Sequence, residues 1–489
     1  MTADLLDTDV VVVGAGPVGL MLAGELAHGG AGVVLVEKRH APNTESRAST
    51  LHARTMEILD SRALLPEFGD PPQETRGHFG GLPLDLTLPT SHPGQWKVPQ
   101  TRTEVILQEW ALSLGARLKC KHEVTALRDT GEAVEVHASG PDGTPLRLRC
   151  RYLIACDGED STVRRLTGAP FPGHSATREL LRADVAGIDV PARRFQRLEH
   201  GLAIAARRPD GVTRVMVHEF GSTAQHRPGG DVSFEEITAV WKRVTGEDIS
   251  SGTPLWANAF GDASRQLTHY RHGRVLFAGD AAHQQMPIGG QALNLGVQDA
   301  FNLGWKLALV VRGKAPHTLL DTYHSERHAT GRRVLANIRA QALMLLGPPQ
   351  VGPLRTLLGE LTALDDVRRH LAGMISGLDV RYDVGGPAHP LLGARLPCTE
   401  LRLPERTVTT TRLVRSGGGV LLDLTGAPTA PAPTGWADRV TALSARAAPT
   451  SALHGTERVL VRPDGHVAWA GAGTDGLTEA LTRWFGPPR

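Results

Sequence analysis

The chain has 489 residues, enough for two or three domains at roughly 150 residues each. Its 53 Lys and Arg against 51 Asp and Glu leave a formal net charge of +2, which provides no broad field for nucleic acid or an anionic membrane and points to a small-molecule partner. Cys120, Cys150, Cys156 and Cys398 form no CxxC and no zinc-type or secreted-disulfide spacing, as expected of a protein in a reducing cytoplasm.

The opening MTADLLDTDVVVVGAG lacks the basic leading region and small-residue cleavage site of a signal peptide and reads as a first strand. Asp9 to Val13 is a β-branched run that Gly14 ends; a helical stretch follows to about His28, and Val33 to Val36 is a second apolar run, which together make a βαβ unit. Tyr152 to Ala155 and Val275 to Ala278 are two further short apolar runs, each followed by Asp and Gly in opposite orders, the pattern of strands that stop at a ligand. Between them, roughly Leu180 to Tyr270, alternating segments such as Thr213 to Val217 with Arg- and Gly-rich turns predict a separate β-sheet for the substrate, joined by Phe79 to Val98. The apolar stretch Leu293 to Val311 is broken by Asn294, Gln298, Asp299, Asn302 and Lys306 and is not expected to span a bilayer. Long helical patterns cover Gly296 to Arg312 and Asp321 to Leu346, the second stopped by Gly347, Pro348 and Pro349. Beyond His389 a β-rich texture returns, with Gly418 to Leu424 and Arg458 to Val461 as strands around a Pro- and Ala-rich insert. The expected fold is α/β: a Rossmann-like dinucleotide domain (1–78, 99–179 and 271–388), an inserted β-sheet substrate domain (79–98 and 180–270) and a small third domain (389–489).

The segment VVVGAGPVGL places Gly14, Gly16 and Gly19 between a strand and a helix, the context that the dinucleotide fingerprint requires. Gly14 permits the tight turn, Gly16 lets backbone N–H groups approach a pyrophosphate, and Gly19 allows close packing of helix on strand; Ala15, Pro17 and Val18 complete the loop, and the helix amino end faces the negative charge. Glu37, followed by Lys38 and Arg39, ends the second strand 23 residues after Gly14. A carboxylate there can accept both hydroxyls of an unmodified adenosine ribose and would repel a 2′-phosphate, so the tightly held dinucleotide is FAD or NAD and not NADP.

The stretch GRVLFAGDAAHQQMPIGGQALNLGVQDAFNLGWKLALVVRG is more specific. Gly279 and Asp280 follow a strand, where the carboxylate can accept a hydrogen bond from a flavin ribityl hydroxyl. Pro287, Gly289 and Gly290 then turn into a helix whose first N–H groups include those of Ala292, Leu293 and Asn294, an anion site suited to the charge of a reduced flavin. Together with RASTLHARTMEIL and IACDGEDSTVR, these motifs make the chain resemble, over essentially its whole length, the class A flavoprotein monooxygenases typified by para-hydroxybenzoate hydroxylase. Within that class it is most similar to the actinobacterial aromatic polyketide hydroxylases.

The resemblance implies FAD as cofactor and NADPH and O₂ as co-substrates. A flavin C4a-hydroperoxide would pass oxygen to an electron-rich ring of a polycyclic, angucycline-like polyketide in antibiotic biosynthesis. Antibiotic inactivation, Baeyer–Villiger insertion and a non-catalytic flavin-binding protein stay open, as do monomer and homodimer. By the same resemblance Asp157 and Gly158 lie by the pyrophosphate and near the NADPH path, with Arg164 ending their motif. Arg47 stands between FAD and the pyridine nucleotide, Gln100, assisted by Arg102, reaches the ribityl chain, and Gly290, Gln291, Ala292, Leu293 and Asn294 border the ring. Arg47 and Pro287, whose carbonyl lies near C4a in relatives, are the candidate catalytic residues. Two departures stand out: Ala292 puts a methyl where relatives often have glycine, and Met286 replaces the first of two prolines.

The piece from HPLLGARLP through LVRPDGHVAWAG resembles the thioredoxin-like domain appended to phenol and polyketide hydroxylases. With Cys398 alone it cannot cycle a dithiol, so a structural or oligomer-shaping role is expected. No His, Cys and carboxylate set has metal-ligand spacing, His269 and His272 reading as turn residues. His218, Arg207 and Trp96 are the candidates for lining a substrate pocket.

Overall fold

The computed structural model describes residues 5–40, 49–208, 210–225, 227, 232–427 and 433–489. The β-branched run near the amino end is buried on both faces, with Val10, Val11 and Val12 fully enclosed, as in a central parallel strand covered by helices on both sides. This strand, Leu5–Val13, is flanked in parallel by Pro145–Ala155 and Val33–Glu37. Val275–Phe277 and Arg117–Cys120 extend the parallel core outwards. The long strand Pro145–Ala155 changes neighbours along its length: its first half pairs antiparallel with Val134–Ser139, and its last three residues pair parallel with Val275–Phe277. The register sets Val13 beside Ala155 and Ala155 beside Phe277, so three strands end side by side. The three glycine and aspartate motifs start at those carboxyl ends, where open α/β sheets bind ligands.

Helix Pro17–His28 crosses helix Gln291–Val311 closely because glycines clear the crossing. A Cβ on Gly304 would lie 2.4 Å from that of Glu25, and one on Gly29 would lie 2.4 Å from that of Ala308. No helix among the described residues is long and apolar enough to cross a membrane.

The middle of the chain forms a five-stranded antiparallel sheet in the order Arg193–Arg197, Gly201–Arg207, Thr213–Glu219, Glu179–Ala186, Thr253–Gly261. Side chains alternate across it. Leu181, Ala183, Ala203, Val215 and Val217 pack beneath helix Phe234–Thr245 and its buried Trp241. Residues of the opposite parity, among them Leu180, Leu202, Met216 and Phe260, face helix Asp321–Leu346 and the turn at Met286 and Ile288. The segment 79–98, grouped with this sheet on sequence, contributes no strand to it among the described residues. Phe79, Leu84 and Leu86 pack on Leu371, Ala372 and Ile375 instead, and Gln95–Lys97 pairs with Thr50–His52. The hairpin Arg76–Phe79 and Leu82–Asp85 meets the sheet side-on, through the His78 and Phe195 rings 4.0 Å apart.

The carboxyl-terminal region holds a four-stranded sheet of Gly419–Asp423, Val440–Ser444, Arg458–Val461 and Val467–Gly471, closed by helix Leu477–Phe485. In space the order is second, first, third, fourth, with the first two parallel and the others antiparallel. Trp484 and Phe485 share one core with Leu303, Trp305 and Leu307 of the long central helix. A buried ion cluster crosses the same boundary: Arg462 donates to Glu326 Oε1 at 2.5 Å and Oε2 at 3.0 Å and pairs with Asp464, while Lys306 Nζ lies 2.7 Å from Glu326 Oε2.

Burial pushes the Glu326 carboxyl up, but Arg462 and Lys306 outweigh it and bring it from 4.5 down to about 2. A carboxyl depressed in the folded state stabilises fully above its unfolded pKa, and this contribution is lost as pH falls towards 2. Glu326→Gln is therefore expected to cost roughly 3–5 kcal/mol at neutral pH. It should also flatten the loss of stability between pH 4.5 and 2, as read by urea unfolding across that range.

Candidate active site

The first loop is locked by close backbone approaches. Gly14 sits at φ +98°, and a Cβ there would lie 2.4 Å from the Cys156 carbonyl oxygen and 2.9 Å from the Asp157 Cα. A Cβ on Gly19 would fall 2.0 Å from the Gly14 oxygen. Gly16 differs, because a Cβ there would meet nothing within 4 Å. It caps helix Pro17–His28, so the loop keeps open space in front of the helix amino end, a cradle for a pyrophosphate.

Glu37 is buried at the end of its strand and is heavily engaged. Its Oε2 accepts the Ala15 N–H at 2.7 Å, and its Oε1 accepts the Arg39 N–H at 2.9 Å and Nε–H at 3.0 Å. Burial raises its pKa, yet the Arg39 side chain and the two backbone N–H groups hold it below the usual carboxylate range. A carboxylate has about four lone-pair directions. With three bonds already made, one remains for a ribose hydroxyl, fewer than the two expected from sequence. Lys38 is exposed beside it. Gln100 donates its amide N–H to buried Glu104 at 2.8 Å, and burial pushes the Glu104 carboxyl up. Arg102 reaches the Glu67 carbonyl at 2.5 Å.

The second motif is braced from within. Asp157 accepts the Ser161 hydroxyl at 2.5 Å and the Val163 N–H at 3.1 Å, so its carboxylate serves its own turn, and Gly158 at φ +81° leaves space beside it. Arg164 donates to the Ala281 carbonyl at 3.0 Å and tethers the second motif to the third. Val18 closes the triangle. Cβ atoms on Gly279 and Gly296 would lie 3.0 Å and 2.5 Å from its Cγ2. Asp280 is exposed on the short turn Gly279–Ala281, and Arg47 lies outside the described residues.

Pro287 is exposed and opens a turn in which Gly289 and Gly290 adopt φ of +65° and +71° before helix Gln291–Val311 begins. A Cβ on Gly290 would lie 2.9 Å from that of Thr50. Asn294 spends its whole side chain on this joint: it accepts from the His52 N–H at 2.8 Å and the Thr55 hydroxyl at 2.6 Å, and donates to the Thr50 and Gly290 carbonyls. Its backbone N–H, with those of half-buried Ala292 and Leu293, is what the helix end offers a ligand. Gln291 is buried, accepts from Asn337 at 3.2 Å, and among the described residues its Nε2 donor has no partner. Beneath the turn, burial drives His52 from 6.5 down to about 4, so the ring is neutral while Nδ1 faces the Ile375 carbonyl at 2.6 Å.

Sequence reasoning missed the brace behind these loops. Asp299 is wholly buried, accepts the Gly279 N–H at 3.1 Å, and contacts His283 Nε2 at 2.8 Å and Arg327 Nε at 2.7 Å. Arg327 continues to the Tyr382 hydroxyl at 3.0 Å. The one signal was Asp299 as the single carboxylate of helix Gln291–Val311. Of the pocket candidates, Arg207 points outward beside Asp189, and Trp96 packs edge-on to His92. His218 ties the sheet to the long helix through the Glu179 and Leu346 carbonyls.

Open space at Gly16, an orphaned donor at Gln291 and a helix amino end with free N–H groups fit FAD, and with the parallel sheet they define an α/β flavoprotein. The FAD binding domain family matches residues 7–338, and the family described as aromatic-ring hydroxylase, C-terminal, matches residues 389–488. The chain belongs to the FAD-dependent aromatic-ring hydroxylases, the class A flavin monooxygenases. It is 42% identical over 507 residues to the 12-dehydrotetracycline 5-monooxygenase/anhydrotetracycline 6-monooxygenase of Streptomyces rimosus subsp. rimosus, covering 98% of this chain and 99% of that one. It is 40% identical to the dialkyldecalin synthase of Streptomyces rugosporus, again over 98% and 99% of the two chains. Among solved structures, CabE, an aromatic hydroxylase from angucycline biosynthesis, matches with a TM-score of 0.93 and 49% identity, covering 99% of this chain and 100% of that one.

Gly16→Val is expected to abolish FAD binding while leaving the melting temperature close to wild type, since Gly16 has an ordinary φ of −76° and an open side-chain position. A flavin-fluorescence titration with a thermal melt checks this. Glu37→Gln removes a charged acceptor whose hydrogen bond is worth roughly 1.5–3 kcal/mol, so the Kd for FAD should rise about 10- to 150-fold.

Proposed function

We propose that this chain is a cytoplasmic, NADPH-dependent hydroxylase of polycyclic aromatic polyketides in antibiotic biosynthesis. FAD is held by Gly14, Ala15, Gly16, Pro17, Val18, Gly19, Glu37 and Asp280 at one end and by the segment Pro287 to Asn294 at the other. The observation that carries the substrate class is the apolar layer between the flavin turn and the five-stranded sheet. Buried Met286, Ile288, Leu180 and Leu202 form one apolar cluster there, with half-buried Ile204, Met216, Phe260 and Val334 packed against it. An apolar surface of this kind suits fused rings, and the relatives described above are named as a 12-dehydrotetracycline and anhydrotetracycline monooxygenase and as an aromatic hydroxylase from angucycline biosynthesis.

FAD, when bound, supplies two-electron acceptance from a nicotinamide and activation of O₂. The residues of this chain do the rest by position. The N–H groups of Ala292, Leu293 and Asn294 stabilise negative charge on the ring edge, the exposed Pro287 turn presents its carbonyl to the reacting side, and the apolar layer excludes water from it. A phenolic substrate ionises to activate its own ring, so no side-chain base is assigned. We take 1–78, 99–179 and 271–388 as the FAD domain and the sheet from 180 to 270 as the substrate domain. We read 389–489 as thioredoxin-like, on its second-first-third-fourth strand order and closing helix. With Cys398 its lone cysteine, that region braces the FAD domain through Arg462 and Asp464.

One full-length relative is named for decalin formation, so the product and not the cofactor decides the reaction. The test supplies the FAD-loaded protein with NADPH, O₂ and a panel of anhydrotetracycline-like and angucycline-like phenols. NADPH consumption matched by a product carrying one added hydroxyl is expected. NADPH oxidation giving only hydrogen peroxide with every phenol, or none at all, would contradict the proposal.

A further inference from the structure

A narrow cavity runs along the flank of helix Gln291–Val311, beside the turn that precedes it. Gln291, Leu295 and Gln298 stand at successive turns on one face of that helix, opposite Thr330 and Val334 of helix Asp321–Leu346 and Met374 of helix Asp365–Ser376. The lining grades from buried Gln291 and Leu295 at the inner end to exposed Arg333, which pairs with Asp379 at the mouth. About 30 Å³ of it is open to the centre of a water-sized molecule. One water needs roughly 10–15 Å³ by that measure, so about two or three small molecules fit, and a fused ring or a nicotinamide does not.

Most of the polar side chains around this space are spent on one another. The Gly80 N–H donates to Gln341 Oε1 at 3.0 Å, Gln341 Nε2 to Asn337 Oδ1 at 3.1 Å, and Asn337 Nδ2 to Gln291 Oε1 at 3.2 Å. A backbone N–H can only donate, so this chain fixes the orientation of every amide in it. It ends on Gln291 Nε2, the one fully enclosed side-chain donor of the lining without a partner among the described residues. Asn294 is used up on the Thr50 joint, and the Thr330 hydroxyl donates to the Glu326 carbonyl at 2.8 Å. A water lodged at the inner end needs about two to four polar partners and would find a single donor. Dioxygen is apolar and needs none.

We infer that this cavity is the route by which dioxygen reaches the flavin, entering at the Arg333 and Asp379 mouth and arriving at Gln291. The inference rests on the proposed seat of the flavin edge against the segment Pro287 to Asn294. Gln291 Nε2 stands 3.7 Å from where a Cβ on Gly289 would lie, so the inner end of the cavity adjoins that turn. Val334 lines the cavity and also packs against the apolar cluster at Met286 and Ile288, so one side chain separates the two spaces. A polycycle seated on that cluster leaves the flank of the helix free, and dioxygen does not compete with it for entry.

Two measurements on the FAD-loaded full-length protein test this. Crystals pressurised with xenon, an apolar stand-in for dioxygen, should hold xenon between Leu295, Val334 and Met374. In stopped flow, protein reduced anaerobically with dithionite is mixed with oxygenated buffer, and the second-order rate constant of flavin reoxidation is read for wild type, Met374→Trp and Met374→Ala. Met374→Trp fills the cavity and should slow reoxidation roughly tenfold, about 1.4 kcal/mol on the barrier to entry, whereas Met374→Ala widens it and should not slow reoxidation. Flavin content and absorbance spectrum should match wild type in both variants, which separates a blocked route from a disturbed flavin. If Met374→Trp loses its flavin, Thr330→Trp fills the same space from helix Asp321–Leu346. Ordered water in place of xenon, or wild-type reoxidation in the filled variant, overturns the inference and leaves the flavin reading intact. Failure of the wild type to bind FAD removes both.

Discussion

One fully buried carboxylate organises the molecule. Asp299 lies in the middle of the long central helix and receives the Gly279 N–H, the His283 ring and the Arg327 guanidinium, while burial pushes its carboxyl up. Arg327 and His283 hold it ionised. Because an unpaired buried charge is so costly, these groups must arrive together, Gly279 and His283 from one loop and Arg327 from helix Asp321–Leu346. The strand end before Asp280, the segment before the Pro287 turn and helix Asp321–Leu346 are thus fixed relative to one another before any ligand binds. Tyr382 extends the brace towards the carboxyl-terminal region through Arg327.

Around that brace, backbone contacts replace side chains. Gly14 rests on the Cys156 carbonyl, Gly279 and Gly296 close on Val18, and Gly290 sits against Thr50. Several residues that carry a flavin motif are thereby spent on locking three strand ends and two helices together. The surfaces left over are those with polar backbone and no side-chain claim on it: the space before Gly16 and the first N–H groups of helix Gln291–Val311. A dinucleotide with charge at its centre and a polarisable ring at one end matches that pair. The substrate sheet then needs only to present one face to the same turn, which its strict alternation ensures.

The βαβ unit and the strand ends at Ala155 and Phe277 were readable because runs such as DVVVV can be buried only in a sheet covered on both faces. The motif glycines were readable for the same reason, since Gly14 at φ +98° admits little else. Side-chain roles were far less legible. Asp157, Gln100 and Asn294, expected at the cofactor, also hydrogen-bond Ser161, Glu104 and Thr55, and no pattern in the sequence announces these scaffold bonds. Glu37 was expected to hold two hydroxyls, but Ala15 and Arg39 take most of its capacity. The run from Leu181 to Val185 alternates apolar and polar residues, but which helix covers each face of that strand is settled only by tertiary packing, with Phe234–Thr245 on the face of Leu181, Ala183 and Val185. The strand partners of segment 79–98 were not legible for a related reason: they lie at Thr50–His52 and within its own hairpin.

The most direct measurement is a crystal structure of the protein loaded with FAD. The account requires the pyrophosphate in the space before Gly16, one ribose hydroxyl on Glu37, and the edge of the ring against the N–H groups of Ala292 to Asn294, with Asp299 and Arg327 unmoved. Density for the ring away from the Pro287 turn, or a Gly279 loop that must part from Asp299 to admit the cofactor, would contradict it.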